Sequence, residues 1–215
     1  MANDNDPRGL IPANLGQGAV TAHYYRVATG GSTDIYIGAP VTIDSDGYVK
    51  AASPTLMVPI LGVAIGFAGP QKRGLAVPQG DPFLDVSDLI PPSPASETGD
   101  RWVLVADDPN QRFIVQEDTG GTALAIADIG AACDLIYRGA TAISMNGSAD
   151  TGWANLELDA SGVVTTTAAP VVILGLHDGV NTDGTDNAVG DYAKWVVRIL
   201  HHQLRGGAPV TGIVI

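Results

Sequence analysis

The chain has 215 residues, 27 of them Gly and 14 Pro, with 45% hydrophobic and 16% charged residues; a chain of this length buries roughly 70% of its unfolded surface, so it folds without a disulfide staple and is not disordered. Its 23 acidic against 11 basic residues leave a net charge of −12, which repels phosphate backbones and anionic membranes, so neither nucleic acid nor a membrane is an expected partner. Glu and Lys, the usual occupants of exposed helix faces, occur only three times each, which excludes an all-α fold.

Residues 1–20 carry Pro7, Gly9, Pro12, Gly16 and Gly18 among scattered apolar residues, which supports neither a helical stripe nor a continuous strand, and they read as an extended N-terminal arm. The opening Met1-Ala-Asn-Asp-Asn-Asp has no basic region followed by an apolar core, so no secretory signal is read there. Short β-type runs follow at Ala22–Ala28, Ile35–Ile37, Pro40–Ile43 and Tyr48–Ala51, punctuated by Gly30-Gly31, Gly38 and Asp44-Ser-Asp-Gly47. That spacing is a hairpin signature. The apolar stretch Leu56–Gly69 is broken by Pro59, Gly62 and Gly66, so it is too short and too interrupted to cross a bilayer and reads as buried strand.

Prolines crowd the next segment, from Pro70 to Pro91-Pro-Ser-Pro94, and make 69–100 a linker or a long excursion. Trp102–Ala106 and Phe113–Glu117 flank Asp107-Asp-Pro-Asn-Gln111, a turn-forming stretch, and predict a hairpin. Thr122–Ile129 is the helix candidate, with Thr122 as N-cap and Gly130 at its stop. Further strands are predicted at Ala132–Tyr137, Ile143–Met145, Trp153–Leu158, Val163–Thr167, Val171–Leu176 and Tyr192–His201, the last with an apolar and a mixed side. Val41 to Gly62 and Leu156 to Gly175 share a pattern of strand, acidic turn ending in Gly, strand and Ile-Leu-Gly, a candidate structural duplication.

The expected fold is therefore all-β, an antiparallel sandwich or barrel-like body over 21–205 with one short helix, an arm over 1–20 and a C-terminal tail over 206–215. The tail, Gly206-Gly-Ala-Pro-Val-Thr-Gly-Ile-Val-Ile215, is apolar and of high β propensity, and it needs cover from its own sheet or from a neighbouring subunit, of which the second is favoured.

Chemistry is sparse. No serine sits in a Gly-x-Ser-x-Gly elbow, and Gly16-Gln-Gly18 lacks the third Gly and the Lys of a phosphate loop. His201 and His202 are adjacent, so on a strand they point to opposite faces and do not share a metal; the acidic turns at Asp44 and Asp183 fail the calcium-loop spacing at their ends. Cys133, the single cysteine, reads as a small buried residue. No catalytic residue, cofactor or metal is expected, and the chain reads as non-enzymatic. The candidate contact residues are Pro7, Arg8, Leu10 and Ile11 of the arm, the basic pair Lys72 and Arg73 of the excursion, and Val210, Ile213, Val214 and Ile215 of the tail.

Several segments, read in order, resemble the capsid decoration, or cement, proteins of tailed bacteriophages. They are Met-Ala-Asn-Asp-Asn-Asp-Pro-Arg-Gly-Leu-Ile-Pro12, Tyr36-Ile-Gly-Ala-Pro-Val41, Asp46-Gly-Tyr-Val-Lys-Ala51, Ile60-Leu-Gly-Val-Ala64, Val105 to Gln116, Asp128-Ile-Gly-Ala-Ala-Cys-Asp-Leu135, Ile173-Leu-Gly-Leu176 and Asp191-Tyr-Ala-Lys-Trp-Val-Val-Arg198. The resemblance implies a β-rich structural protein of the virion, made in the host cytoplasm and bound to the outer capsid surface. There it would bridge neighbouring major capsid proteins, as a homo-oligomer with a trimer favoured over a dimer. The segment between Phe67 and Trp102 is longer and richer in Pro than that pattern. The alternative is a virion-associated carbohydrate-binding or tail-associated β module.

Overall fold

A computed structural model describes residues 3–13, 19–27, 35–53, 58–68, 101–138, 152–164, 169–181 and 184–205. Among them, eleven strands form two sheets. Strands β2 (Ala22–Val27), β3 (Pro40–Ile43), β4 (Val49–Ala51), β5 (Gly62–Ala68) and β6 (Arg101–Ala106) close into a barrel in the order β2-β4-β3-β5-β6. The all-β expectation holds, and the barrel follows from period-two alternation: Val103 and Val105 of β6 are wholly buried with Val41, Val49 and Leu61, while Trp102 and Leu104 stay half-buried on the outside.

The second sheet has the order β1-β7-β11-β10-β8-β9, from β1 (Ile11–Ala13), β7 (Arg112–Gln116), β8 (Ala132–Tyr137), β9 (Leu156–Val164), β10 (Val171–Leu176) and β11 (Lys194–Ile199). It rolls up until its far strand meets β7, because Glu117 bridges Leu158 and the Asp118 N–H donates to the Leu158 carbonyl at 2.9 Å. Phe113, Leu135, Leu156, Leu158, Ile173 and Trp195 fill the interior. Each such fully buried side chain contributes roughly 1.5–3 kcal/mol. The same cluster takes in Leu10, Ala39, Ile60, Val63 and Ala106, so one continuous core runs between the sheets.

The first and last described segments fasten the sheets together. Near the N-terminus, the Asn3 side chain donates to the Ala188 and Asp191 carbonyls at 2.8 and 3.0 Å. The Leu10 N–H then donates to the Gly38 carbonyl at 2.9 Å, and Ile11, Pro12 and Ala13 pair with Ile114, Phe113 and Arg112. The described part of the arm, residues 3–13, is thus docked on the body. At Gly9 and Gly38 two backbones cross with φ of 68° and 84°, and a Cβ on Gly38 would lie 2.2 Å from the Arg8 carbonyl oxygen, so only Gly fits. At the other end, Gln203 donates from its side chain to the Ile43 carbonyl at 3.1 Å and accepts from the Ile43 N–H at 2.9 Å, while His202 bridges Ile60.

Two expectations are corrected and one candidate is rejected. Trp102–Ala106 and Phe113–Glu117 do not form a hairpin: β6 pairs with β2 and β5, β7 pairs with β1 and β11, and Asp107–Gln111 is the crossover between sheets. The turn itself exists, with the Gln111 N–H bonded to the Asp108 carbonyl at 2.9 Å, yet the core claims each strand separately. The Thr122–Ile129 helix shrinks to a 3₁₀ turn at Ile126–Asp128, held by the Asp128 carboxylate accepting from the Ala125 N–H at 2.8 Å. Two turns of helix are marginal without an apolar face to bury, and Ile126 and Ile129 are 56% and 44% exposed. The duplication also fails. Asp44–Gly47 is a true hairpin turn between β3 and β4, whereas Asp159–Gly162 is an irregularity inside the continuous strand β9, since Leu158 and Val163 both pair with β8.

Ala132–Tyr137 and Val171–Leu176 match their predicted bounds, and Tyr192–His201 shortens to β11. The predicted Ile143–Met145 strand, the 69–100 excursion and the 206–215 tail lie outside the described residues.

Candidate interaction surface and the acidic seam

Among the candidate contact residues, Leu10 is corrected: it is 0% exposed inside the chain's own core and is not available to a partner. Pro7 is half-buried, and Ile11 is half-buried in β1 opposite Ile114. Arg8 is exposed, bonded to Asp6 at 2.6 Å, and its guanidinium lies 5.8 Å over the Trp153 ring. Lys72, Arg73, Val210, Ile213, Val214 and Ile215 lie outside the described residues. Their roots are described. The excursion leaves and returns at one barrel rim, where Ala68 pairs with Trp102, and the tail follows Arg205, whose guanidinium bonds the Asn110 side chain at 3.0 Å beside the crossover.

The titratable side chains serve the fold. His202 is 5% exposed and its Nδ1 accepts from the Leu204 N–H at 3.1 Å. Burial pushes its pKa down to about 4. His201 is only half-buried, in keeping with the expected division between the two histidines. Cys133 is wholly buried, and burial among Asp159, Asp134 and Asp118 pushes its thiol up to about 12, in line with the structural reading. Among the described residues no three His, Cys, Asp or Glu side chains gather in a geometry that would hold a metal. No described helix is long and apolar enough to cross a membrane.

Two clusters were not anticipated. His23 and Tyr25 sit two apart on β2, and both reach Asp107, which is 3% exposed: the Tyr25 hydroxyl donates at 2.5 Å and His23 Nδ1 lies at 2.8 Å. Their i, i+2 spacing was legible; Asp107 was assigned to a turn and its reach back to β2 was not.

The second cluster lies where the rolled sheet meets itself. Inside the roll, Glu117 is 0% exposed and accepts from Trp195 Nε1 at 2.7 Å, while its other oxygen has no partner among the described residues. Burial raises its pKa to about 7 against the opposing pull of the Trp195 and Leu124 bonds. Outside the roll, Gln116 links the docked arm to the seam: its amide donates to Glu157 at 2.7 Å and to the Asn5 side chain at 3.2 Å, and its oxygen accepts from the Asp6 N–H at 2.8 Å. Glu157 is 2% exposed, and burial raises its pKa. Beside it opens a cleft of about 190 Å³ lined by Asp118, Thr119, Gly120, Ile136, Tyr137, Arg138, Glu157 and Tyr192. Arg138 stands 5.7 Å over the Tyr192 ring, and Tyr192 adopts φ 63°, a left-handed conformation rare outside Gly.

No family model matches this chain, and no curated protein or solved structure is detectably similar to it.

Proposed function

We propose that this protein is a non-enzymatic structural component of a tailed-phage virion that binds the outside of the capsid and bridges neighbouring major capsid proteins. The observation that carries the reading is where the decoration-protein-like segments fall. Residues 1–12 contain the docked arm, Tyr36–Val41 the Gly38 crossing, Val105–Gln116 the crossover between sheets, and Asp191–Arg198 the strand beneath Glu117. Several of these segments thus fall at joints that hold the two sheets together, and such a body suits a load-carrying clamp.

A filled shell pushes outward, and each bridging subunit resists by burying interface across a capsomer joint, roughly 1,200–2,000 Å² for a stable contact. Repetition over many sites lets modest affinity suffice. The net charge of −12 favours an outer position, away from packaged nucleic acid. Co-sedimentation of the purified full chain with undecorated shells, followed by reconstruction of the particle, tests the proposal. Density on the outer surface is expected; a chain that stays in the supernatant refutes it.

The glycan-binding alternative has one observation in its favour, the half-buried placement of Trp102 and Trp153 on the body's outside. Each ring already carries a guanidinium, Arg26 at 6.0 Å over Trp102 and Arg8 over Trp153, which occupies the face a sugar would stack on. A glycan array decides between the two.

A further inference from the structure

We propose that this protein binds a second copy of itself head to tail: the arginines Arg112, Arg198 and Arg205 at one end of the second sheet receive the carboxylates of the acidic turn between β10 and β11 at the other end.

On a chain of net charge −12, three of the eleven basic residues gather in one place. Arg112 of β7 and Arg198 of β11 are direct cross-strand partners, so their side chains share a face. That face is the outer one, because their strand neighbours Phe113, Val197 and Ile199 fill the core. Arg205 joins them from the turn Gln203–Arg205, fixed by its bond to Asn110, two residues before Arg112. Burial, and then the nearby charges of Arg205 and Arg112, lower the Arg198 pKa. Like charges directly opposite on a sheet repel, and nothing described relieves them. Among the described residues neither Arg112 nor Arg198 has a hydrogen bond or ion pair from its guanidinium, and Arg198 Nε is buried without a partner. The acids of the crossover are engaged elsewhere, Asp107 by His23 and Tyr25, and Asp108 by the Asn110 N–H. Planar guanidinium groups left bare in this way call for carboxylates, which they meet with paired bonds.

The other end of the same strands has the reverse sign. Between His177 and Ala193 the sequence holds four Asp and no Lys or Arg. Asp178, Asp186 and Asp191 are exposed there. The six residues of β11 separate the two ends by roughly 20 Å at about 3.3 Å per residue, so the acids of one chain do not reach its own arginines. A second copy brings them together. Apolar exposure follows the same two ends. Of the five large hydrophobic residues exposed among the described ones, Val180 and Val189 lie in the acidic turn, 64% and 46% exposed, and Leu204, 49% exposed, adjoins Arg205. Each end thus joins charge to apolar surface, as an interface does. Two copies of −12 repel on average, so the orientation that sets arginines against acids is the one that charge favours. A contact between two unlike surfaces leaves one of each free, and it repeats until it closes a ring.

Light scattering on the full chain over a concentration series tests the contact, without shells and so independently of the coat reading. Wild type should self-associate, and raising NaCl from 0.1 to 1 M, which shortens the screening length from about 10 to about 3 Å, should weaken the association severalfold. The neutral double variant Arg112→Gln/Arg198→Gln should associate about tenfold more weakly or worse. Two reversed variants then identify the partner surface. Arg112→Glu/Arg198→Glu and Asp178→Lys/Asp186→Lys should each stay monomeric alone, while their mixture should associate, because each supplies the surface that the other lacks. Circular dichroism checks that each variant is folded; if a reversed variant is not, the neutral one decides. A monomeric wild type, association indifferent to salt, association unchanged in the neutral variant, or folded reversed variants that stay apart when mixed would each overturn the contact.

Discussion

Glu117 and His202 make opposite demands on pH, and their opposition is measurable. Glu117, wholly buried, has its pKa raised from 4.5 to about 7, so between those values the folded chain keeps a proton that the unfolded chain has lost, and stability falls as pH rises. His202, 5% exposed, has its pKa lowered from 6.5 to about 4, so between those values the unfolded chain holds a proton that the folded chain refuses, and stability falls as pH drops. Each contributes a slope of about 1.36 kcal/mol per pH unit, and the windows overlap from pH 4.5 to 6.5. There the two slopes cancel. Removing one group should unmask the other: Glu117→Gln, which retains an oxygen for Trp195 Nε1, should lose about 2.7 kcal/mol on acidification from pH 6.5 to 4.5 relative to wild type, and His202→Gln should gain about as much. Urea unfolding at half-unit pH steps, read at constant slope, gives both curves, and the remaining titrating groups cancel because all three proteins share them. If both variants run parallel to wild type across that window, the buried-charge argument is wrong.

Other consequences are more local. Leu10→Ala removes a wholly buried side chain from the core shared by the sheets and should cost about 2–5 kcal/mol in urea unfolding. Deleting residues 1–13 also strips β1 from β7 and the Asn3 bonds, so the truncated chain should unfold at markedly lower temperature by circular dichroism; an unchanged midpoint would mean that the arm is not structural. Gly38→Ala sets a Cβ against backbone at φ 84° and should destabilise by at least about 2 kcal/mol, whereas Gly47→Ala, with no atom within 4 Å, should pay only the strain of its φ of 82°, about 1 kcal/mol. Cys133, buried and with its thiol raised to about 12, should react with a disulfide reagent no faster than the chain unfolds; prompt labelling of the native protein would refute its burial.

Local chemistry determined most of the strands. Runs of β-forming residues between turn signals placed β2, β3, β6, β8, β10 and β11 to within a residue or two, because turn residues bound a strand whatever it pairs with. Burial of Cys133 and the unlike environments of His201 and His202 followed from their neighbours in the same way. Partners were not legible. A turn sequence such as Asp107–Gln111 permits a reversal without stating whether the flanking strands join each other or two different sheets, and here the cores captured β6 and β7 apart. The Thr122 stretch had helix formers but no face to bury, and Asp159–Gly162 had turn residues yet was absorbed into β9 by pairing with β8.

The seam shows the same division. Asp118, Arg138, Glu157 and Tyr192 come from four separate parts of the chain, and no spacing rule links them; only the rolling of the second sheet onto itself brings them to one cleft. What the sequence by itself determined was class, strand positions, acidity and the need for glycine at the tightest bends, all properties of short stretches and of composition. The tertiary structure decided which strands are neighbours, that the arm is part of the body, and where unlike charges meet. Those outcomes depend on which of many competing burials wins, and that contest is settled by the whole core at once.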